Sequence, residues 1–267
     1  MAPELRDNVS RVKRFNLLGT ATFVGLRAAD AVLQYSLLRE GWASSLVEMA
    51  GGQPVDMMQI LDPVTSQLRP YYGLVASMAL GSSVKQIATI LIVSEQDTPL
   101  SSAVTIALFN TIFNSTNTIL SVWSATSQWP AAGIAKSPLV LAAAGLYLAG
   151  ISTEMASELQ RTAFKRDPAN KGKPYAGGLF SLARHINYGG YTVWRAAYAC
   201  ACGGWLSGLC VGLFFFNDFV SRGVPVLDRY LTSRVSWRAY FVIYNCCSPS
   251  SSMVINGKQS RLASRIA

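Results

Sequence analysis

The sequence has little charge, few cysteines and almost no histidine. Of its 267 residues, 14% are charged, whereas soluble domains usually carry about 25%. There is one histidine, and the five cysteines include no C-x-x-C pair. A zinc site draws its ligands from several such residues, and a disulfide framework needs regularly spaced cysteines. The sequence therefore predicts neither a metal site nor a disulfide-stabilised secreted domain.

Glycine-rich nucleotide motifs are also absent. The chain contains no G-x-G-x-x-G and no G-x-x-x-x-G-K-[ST], which are the patterns that hold phosphates in Rossmann and Walker-type sites. Neither of those two kinds of site is predicted.

Long apolar runs take the place of charge. Hydrophobic residues make up 51% of the chain, and the mean hydropathy is +0.28. A helix needs about 20 apolar residues to cross a bilayer, and four segments before residue 160 meet that length, at 15–38, 72–94, 99–124 and 137–157. The first of them is interpreted as a retained span and not as a cleaved signal peptide.

A fifth apolar run, 191–219, is too long for one crossing. At about 1.5 Å per residue it would extend roughly 43 Å, and Gly203–Gly204 offers a natural break. We expect two shorter helices or a re-entrant hairpin, with Gly204, Gly208 and Gly212 forming a close packing surface. The predicted fold class is an all-α integral membrane protein, a polytopic bundle of about five to seven transmembrane helices.

Basic residues are concentrated at two places. The formal net charge is +9, and cytoplasmic loops of membrane proteins are rich in Lys and Arg. The two basic segments comprise Arg6, Arg11, Lys13 and Arg14, then Arg161, Lys165, Arg166, Lys171, Lys173 and Arg184. Four spans between them place both on the cytoplasmic side. The expected partner is a lipid bilayer, that of the endoplasmic reticulum if the cell is eukaryotic, and not nucleic acid.

Four regions are predicted. Residues 1–14 form a basic cytosolic arm, and residues 15–160 form the N-terminal transmembrane helices on the substrate side. Residues 161–234 form a C-terminal cofactor region, and residues 235–267 form an atypical polar tail.

The strongest candidate site is Arg184, His185, Asn187 and Tyr188, four hydrogen-bonding side chains within five residues. An apolar run follows directly. An arginine beside a helix start, with its free N–H groups, can bind a phosphate-bearing cofactor.

A second candidate lies at the end of the fourth span. Glu154, Glu158, Arg161 and Lys165 share one helical face. One interpretation is that the basic side chains bind phosphates and the carboxylates hold them in place. The other is that all four form ion pairs on a solvated helix end.

The third candidate is a stripe of asparagines inside the third span, at Asn110, Asn114 and Asn117. They are candidates to face the substrate, and interhelical hydrogen bonding is the alternative. Weaker intramembrane candidates are Lys85, Arg27 and Asp30.

Together these motifs resemble the steroid 5-alpha-reductase-like membrane family. The resemblance is nearest to its DUF1295 branch and more distant to the sterol C14 and C7 reductases. The family patterns are E-x-x-x-[DE]-x-Q-x-x-x-F-K, D-P-x-N-K/R-G and G-L-[WF]-x-x-x-R-H-x-N-Y-x-G. They are matched by Glu154, Glu158, Gln160, Phe164, Lys165, Asp167, Pro168, Asn170, Lys171, Gly172, Gly178, Leu179, Phe180, Arg184, His185, Asn187, Tyr188 and Gly190.

The resemblance implies a cytosol-facing cavity for NADPH and reduction of an activated C=C bond in a lipophilic small molecule such as a steroid, sterol or polyprenol. The implied cofactor-binding residues are Gln160, Lys165, Arg184, His185, Asn187 and Tyr188, with Glu154 and Glu158 holding the network together.

Two alternatives stay open. Membrane methyltransferases of the isoprenylcysteine type have a related R-H-P-x-Y-x-G motif that binds S-adenosylmethionine, although Asn187 and the D-P-x-N-K-G loop favour the reductase. The other alternative is an inactive membrane homologue. Ile186 and Tyr191 depart from the reductase pattern, and so does the tail from Val235, for which a misread gene end is our hypothesis.

Overall fold

The computed structural model of the protein describes residues 12–129, 133–171 and 173–234, with side chains up to residue 229. The first eleven residues of the predicted arm and the predicted tail 235–267 lie outside the described residues. The described residues form helices and no β-strand. The helices are α1 (Leu17–Arg39), α2 (Trp42–Met49), α3 (Met57–Ile60), α4 (Pro70–Ala88), α5 (Leu100–Val122), α6 (Pro138–Arg166), α7 (Ile186–Asp218) and α8 (Val224–Arg234).

Local signals set where the long helices begin. Proline occupies the first position of α4 and of α6, where its missing N–H removes no helical hydrogen bond. At the start of α1, the side chain of Asn16 accepts a hydrogen bond of 3.0 Å from the N–H of Gly19. These starts agree within a few residues with the predicted spans.

The bundle has the composition of a membrane protein. Among the described residues, three helical stretches are long and apolar enough to cross a bilayer, at Pro70–Val93, Pro138–Arg166 and Ile186–Arg229. Large apolar side chains also cover the outside of the bundle, for example Leu148, which is 63% exposed. The predicted all-α membrane bundle is confirmed. α1 and α5 are 23 residues long, and they bury the polar side chains described below.

The helix α7 doubles back at Gly204, whose φ of 79° and ψ of 180° are not helical. The rings of Tyr191 and Phe215 lie 5.1 Å apart, and those of Tyr188 and Phe219 lie 4.4 Å apart. In a continuous helix, residues 24 positions apart would be separated by roughly 36 Å. α7 is therefore a hairpin with a first arm (186–203) and a second arm (205–218), as the break in the apolar run predicted.

Small residues let the two arms of the hairpin approach closely. A Cβ added at Gly208 would lie 3.0 Å from the carbonyl oxygen of Ala196, and one at Gly212 would lie 3.2 Å from the Cβ of the same residue. The predicted role of these glycines in close packing is confirmed.

One end of the bundle gathers the start of α1, the end of α4, the end of α6 and the start of α7. Asn16 donates a hydrogen bond of 3.0 Å to Asp97, and Arg166 donates one of 2.8 Å to the carbonyl of Ile92. The turn at Gly204 lies at the other end, beside Gln128. The described part of the basic arm and the basic loop after α6 thus share one end of the molecule.

The helix α6 and the first arm of α7 approach each other most closely at two glycines. A Cβ added at Gly190 would lie 2.9 Å from the amide nitrogen of Glu154 and 2.9 Å from the carbonyl oxygen of Gly150. Both distances are shorter than ordinary carbon contacts, so only glycine allows this spacing. The contact fixes the end of α6 against the start of α7, where the candidate residues meet.

Candidate functional site

Glu158 joins two of the predicted motifs. Glu158 lies on α6. One of its carboxylate oxygens accepts a hydrogen bond of 2.8 Å from Asn187, and the other forms an ion pair with Arg161. Asn187 lies on the first turn of α7 and is buried. The structure therefore brings the end of α6 and the R-H-x-N-Y motif into one hydrogen-bonded cluster at the basic end of the bundle.

Gln160 fixes the loop between α6 and α7. Its side-chain oxygen accepts a hydrogen bond of 2.9 Å from the N–H of Leu179. The neighbouring Gly178 has a φ of +54°, and a Cβ there would lie 2.3 Å from the same oxygen. Sequence reasoning placed Gln160 against a cofactor, whereas the structure shows a contact to the loop backbone.

Three aromatic rings stack at the mouth of the hairpin. The rings of His185 and Tyr188 are nearly parallel with centroids 5.4 Å apart, and Phe219 continues the stack at 4.4 Å from Tyr188. Among the described residues, the buried Nε2 of His185 has no hydrogen-bond partner. A buried polar atom without a partner is costly, so this atom marks a place where a ligand can form a hydrogen bond.

Cations surround this stack. Arg184 is paired with Asp228 on α8, a contact that sequence reasoning did not foresee. The guanidinium of Arg161 lies 5.6 Å from the ring centroid of Phe180. Lys165 is exposed at the end of α6, within electrostatic range of Arg161. The arrangement can hold an anionic group next to flat aromatic surfaces.

The pKa of His185 is lowered below its ordinary value of 6.5, first by burial and then by the charge of Arg184, with Asp228 opposing and Arg161 adding to the shift. The unfolded chain therefore binds this proton more tightly, and stability is lost as the pH falls below about 6.5. We expect the melting temperature of the unmodified protein to fall as the pH is lowered below about 6.5. The melting temperature of His185→Gln should fall less over the same range. Thermal unfolding of both proteins in detergent measures the difference, and identical pH profiles would contradict it.

Glu154 lies deeper in the bundle than the cluster around Glu158. One carboxylate oxygen is paired with Lys85 of α4, and the other accepts a hydrogen bond of 2.7 Å from the indole N–H of Trp194. Glu154 is buried and connects α4, α6 and α7. Its contacts are to Lys85 and Trp194, whereas the predicted role was to hold the residues around Arg184 and His185, which Glu158 contacts through Asn187.

The asparagine stripe of α5 faces the interior. Asn114 donates hydrogen bonds to Asp30 at 2.7 Å and to Ser82 at 3.2 Å, which is the interhelical role that the sequence left open. The carbonyl oxygen of Asn110 accepts a bond of 2.7 Å from Gln86 and another from Arg195. Asn117 is buried on the same face.

Arg195 is the residue that sequence reasoning missed. It is 2% exposed inside the bundle, although it lies within the apolar run after the R-H-x-N-Y motif. A single arginine in such a run is a signal, because charge in a membrane segment is costly unless it serves a purpose.

A cavity of about 380 Å³ opens at the same end of the bundle, between the start of α1 and the segment after α4. Its lining residues are Lys13, Arg14, Phe15, Thr20, Ile90, Ser94, Glu95, Gln96 and Thr98. None of the predicted cofactor residues lines it. In the part of the chain that the structure describes, no three His, Cys, Asp or Glu residues are grouped to hold a metal ion.

Comparison with known proteins gives two matches. The family model described as "Protein of unknown function (DUF1295)" matches residues 98–245. A protein of Ustilaginoidea virens named "Probable O-methyltransferase ustE" is 35% identical over 229 residues, which are 82% of this chain and 80% of that protein. No solved structure matches the chain significantly.

These matches correct the predicted reaction. The prediction of an NADPH-dependent oxidoreductase is wrong, because the relative that matches across four fifths of both chains is named as a transferase of methyl groups. The DUF1295 branch of the resemblance is supported, whereas the wider steroid 5-alpha-reductase placement is not. NADPH binding stays an untested prediction.

Proposed function

The chain belongs to the DUF1295 family, and we propose that it is a membrane-embedded O-methyltransferase that uses S-adenosylmethionine. The observation that carries the proposal is the match to the Ustilaginoidea virens protein, which extends over 82% of this chain and is named as an O-methyltransferase. A shared architecture over that length supports a shared reaction class. If the cell is eukaryotic, the proposed location is the endoplasmic reticulum membrane.

The residues at the start of α7 fit this donor. Arg184, His185, Tyr188 and Gly190 form R-H-x-x-Y-x-G, which is similar to the R-H-P-x-Y-x-G motif of isoprenylcysteine-type methyltransferases. The unpartnered Nε2 of His185 is the structural observation that supports a ligand here. The sequence pattern and the local geometry therefore point to the same place.

Each part of the donor has a suitable partner. His185 and Phe219 are the end rings of the stack around Tyr188, and such an end ring offers a flat surface on which an adenine can stack. Arg161 and Lys165 are suited to the donor's carboxylate, the arginine by directed hydrogen bonds and the lysine as a point charge. His185, neutral at pH 7 because of its lowered pKa, can form a hydrogen bond without adding charge beside a sulfonium.

When bound, S-adenosylmethionine supplies an electrophilic methyl group. The protein's part in methyl transfer is to bind and orient the two reactants, since alignment of reacting atoms accounts for much of the rate enhancement of such reactions. The cluster of Glu158, Arg161 and Asn187 fixes the side chains that would orient the donor. The apolar bundle excludes water and admits a lipophilic acceptor.

Ligand binding to the purified full chain in detergent tests the proposal. We expect S-adenosylmethionine and S-adenosylhomocysteine to bind and to raise the melting temperature, because a ligand that binds only the folded state stabilises it. His185→Ala should weaken both ligands at least tenfold, about 1.4 kcal/mol. Isothermal titration calorimetry measures the affinities.

The matched control is Arg39→Ala. Arg39 lies at the other end of α1 and contacts Tyr35, so its loss should leave the affinity for both ligands unchanged. NADPH is the competing ligand in the same titrations. Binding of NADPH without S-adenosylmethionine, or binding of neither, would refute the proposed function.

A further inference from the structure

Among the described residues, the cations inside the bundle differ in whether they have a carboxylate partner. Arg27 is paired with Asp30 at 2.8 Å, and both side chains are fully buried. Lys85 is paired with Glu154. Arg195 is 2% exposed, and no carboxylate of the described residues forms an ion pair with it. Removing a charge from water costs several kcal/mol unless it is compensated, so Arg195 has an unmet requirement for an anion.

The contacts of Arg195 compensate its charge only in part. Its Nε donates a hydrogen bond of 3.1 Å to the hydroxyl of Tyr191, and one Nη donates to Asn110. Four aromatic rings surround the guanidinium, the nearest being that of Trp194 at 4.4 Å. Such cation–π contacts contribute about 2 kcal/mol or more each when desolvated, but they supply no hydrogen-bond acceptor. The other terminal nitrogen, Nη1, is buried without a hydrogen-bond partner among the described residues.

A second unpartnered atom lies beside the first. Gln86 donates to the same oxygen of Asn110 that Arg195 contacts, and its own carbonyl oxygen is buried with no hydrogen-bond partner in the described structure. An unpartnered N–H donor of Arg195 and an unpartnered oxygen acceptor of Gln86 thus belong to two side chains that both contact the Asn110 amide. Buried polar atoms in native proteins are almost always paired with protein or with ordered water. Nη1 of Arg195 is the donor that an oxyanion can contact directly, whereas the Gln86 oxygen is an acceptor and needs a hydroxyl or a bridging water.

Aromatic side chains connect this place with the outside of the bundle. Phe113 lies under the guanidinium at 5.6 Å and contacts Phe109 at 4.8 Å and Phe214 at 5.8 Å. Phe109 is 38% exposed and Phe214 is 51% exposed. These rings lie between α5 and the second arm of α7 and form an apolar wall between Arg195 and the bilayer, on the side from which a lipophilic molecule would approach.

We propose that Arg195 binds the oxyanion of a lipophilic acceptor, a carboxylate or an acidic hydroxyl on an apolar body. The inference rests on the proposed function and names its substrate class. Arg195 lies on the same helical face as Tyr188 and Tyr191. An acceptor bound to Arg195 would therefore lie at the inner end of the ring stack. The donor site would lie at the outer end of the same stack.

The charge balance explains both binding and release. The acidic acceptor releases its proton to water at the membrane surface, before it reaches Arg195, and the cation then favours the ionised oxygen over the neutral acid. A lone pair of that oxygen then forms the new O–CH₃ bond while the S–CH₃ bond breaks, and its electron pair stays on sulfur to give S-adenosylhomocysteine. The product is a neutral ester or ether. It has lost its ion pair with Arg195, so it dissociates into the bilayer.

A fluorescent acid and its methylated form test this site in the full-length protein. The probes are dansyl-undecanoic acid and its methyl ester, and energy transfer from tryptophan to dansyl reports binding, since Trp194 contacts Arg195. We expect the acid to bind at least tenfold more tightly than the ester. Arg195→Gln should remove this preference, Arg195→Lys should keep part of it, and Arg39→Gln at the far end of α1 should leave it intact.

Asn110→Asp provides an independent variant should Arg195→Gln fail to fold. A carboxylate next to Arg195 would supply the missing counter-ion, so we expect a higher melting temperature and at least tenfold weaker binding of the acid. Equal affinity for acid and ester in the unmodified protein, or unchanged acid binding in Arg195→Gln or in Asn110→Asp, would overturn the proposal. Binding of S-adenosylmethionine is measured separately, so its failure would refute the proposed function while leaving the anion site standing.

Discussion

Glu154→Leu is expected to lower the free energy of unfolding by about 3–5 kcal/mol, because it leaves the buried ammonium of Lys85 without its counter-ion. The side chains of Lys85 and Glu154 are only 9% and 12% exposed, so water cannot replace the lost partner. The variant also removes the acceptor of the Trp194 indole N–H, 2.7 Å away. Thermal unfolding in detergent, followed by tryptophan fluorescence, measures the loss.

The double variant Lys85→Met/Glu154→Leu separates charge from packing. Replacing both members of a buried ion pair with apolar residues of similar size is often neutral or stabilising. We expect the double variant to recover most of the stability that Glu154→Leu loses, apart from about 1 kcal/mol for the unpaired indole. A double variant as unstable as the single one would show that Lys85 is not the cause.

Gly190→Ala is expected to destabilise the protein by about 1–3 kcal/mol and to weaken binding at the start of α7, because a methyl group there overpacks the contact with α6. The added Cβ would lie 2.9 Å from backbone atoms of Glu154 and Gly150, which cannot move independently of their helix. Moving α6 away would also separate Glu158 from Asn187. Melting temperature and the affinity for S-adenosylmethionine are the two measurements.

The neighbouring Gly189 is the matched control, since a Cβ there would meet no atom within 4 Å. Gly189→Ala should be neutral or stabilise the protein by up to about 1 kcal/mol, because alanine favours the helix. Equal effects of the two substitutions would show that the spacing between α6 and α7 is not what Gly190 provides.

The apolar runs predicted the helices well, because lipid demands the same composition along a whole span. The predicted span 137–157 and the charged helical face that ends at Lys165 form one continuous helix, since α6 extends to Arg166. Counting apolar residues could not show that Glu158 would pair with both Arg161 and Asn187, contacts that keep a charged helix end folded. The short helices α2 and α3 were not predicted, because their few buried residues form no long run.

The motif did not determine the reaction. The R-H-x-x-Y-x-G pattern includes Gly190, whose place in the motif follows from the close contact with α6. A pattern of this kind describes a helix start and its packing, which enzymes of different chemistry can share. The position of Arg195 in an apolar run was a signal, but the sequence does not show that Asp30 is paired with Arg27 and Glu154 with Lys85, so that neither carboxylate is its partner.

The turn at Gly204 divides α7 into two arms whose outer ends lie at the same end of the bundle. Each arm alone is short, and the first arm, of 18 residues by its bounds, extends about 27 Å. Arg184 precedes the hairpin and Arg222 follows it, so positive charge flanks both ends and favours retaining both on the cytoplasmic side. Insertion of the two arms together, as one unit, satisfies that preference, and the tip at Gly204 is the only part of the hairpin that must reach the opposite surface.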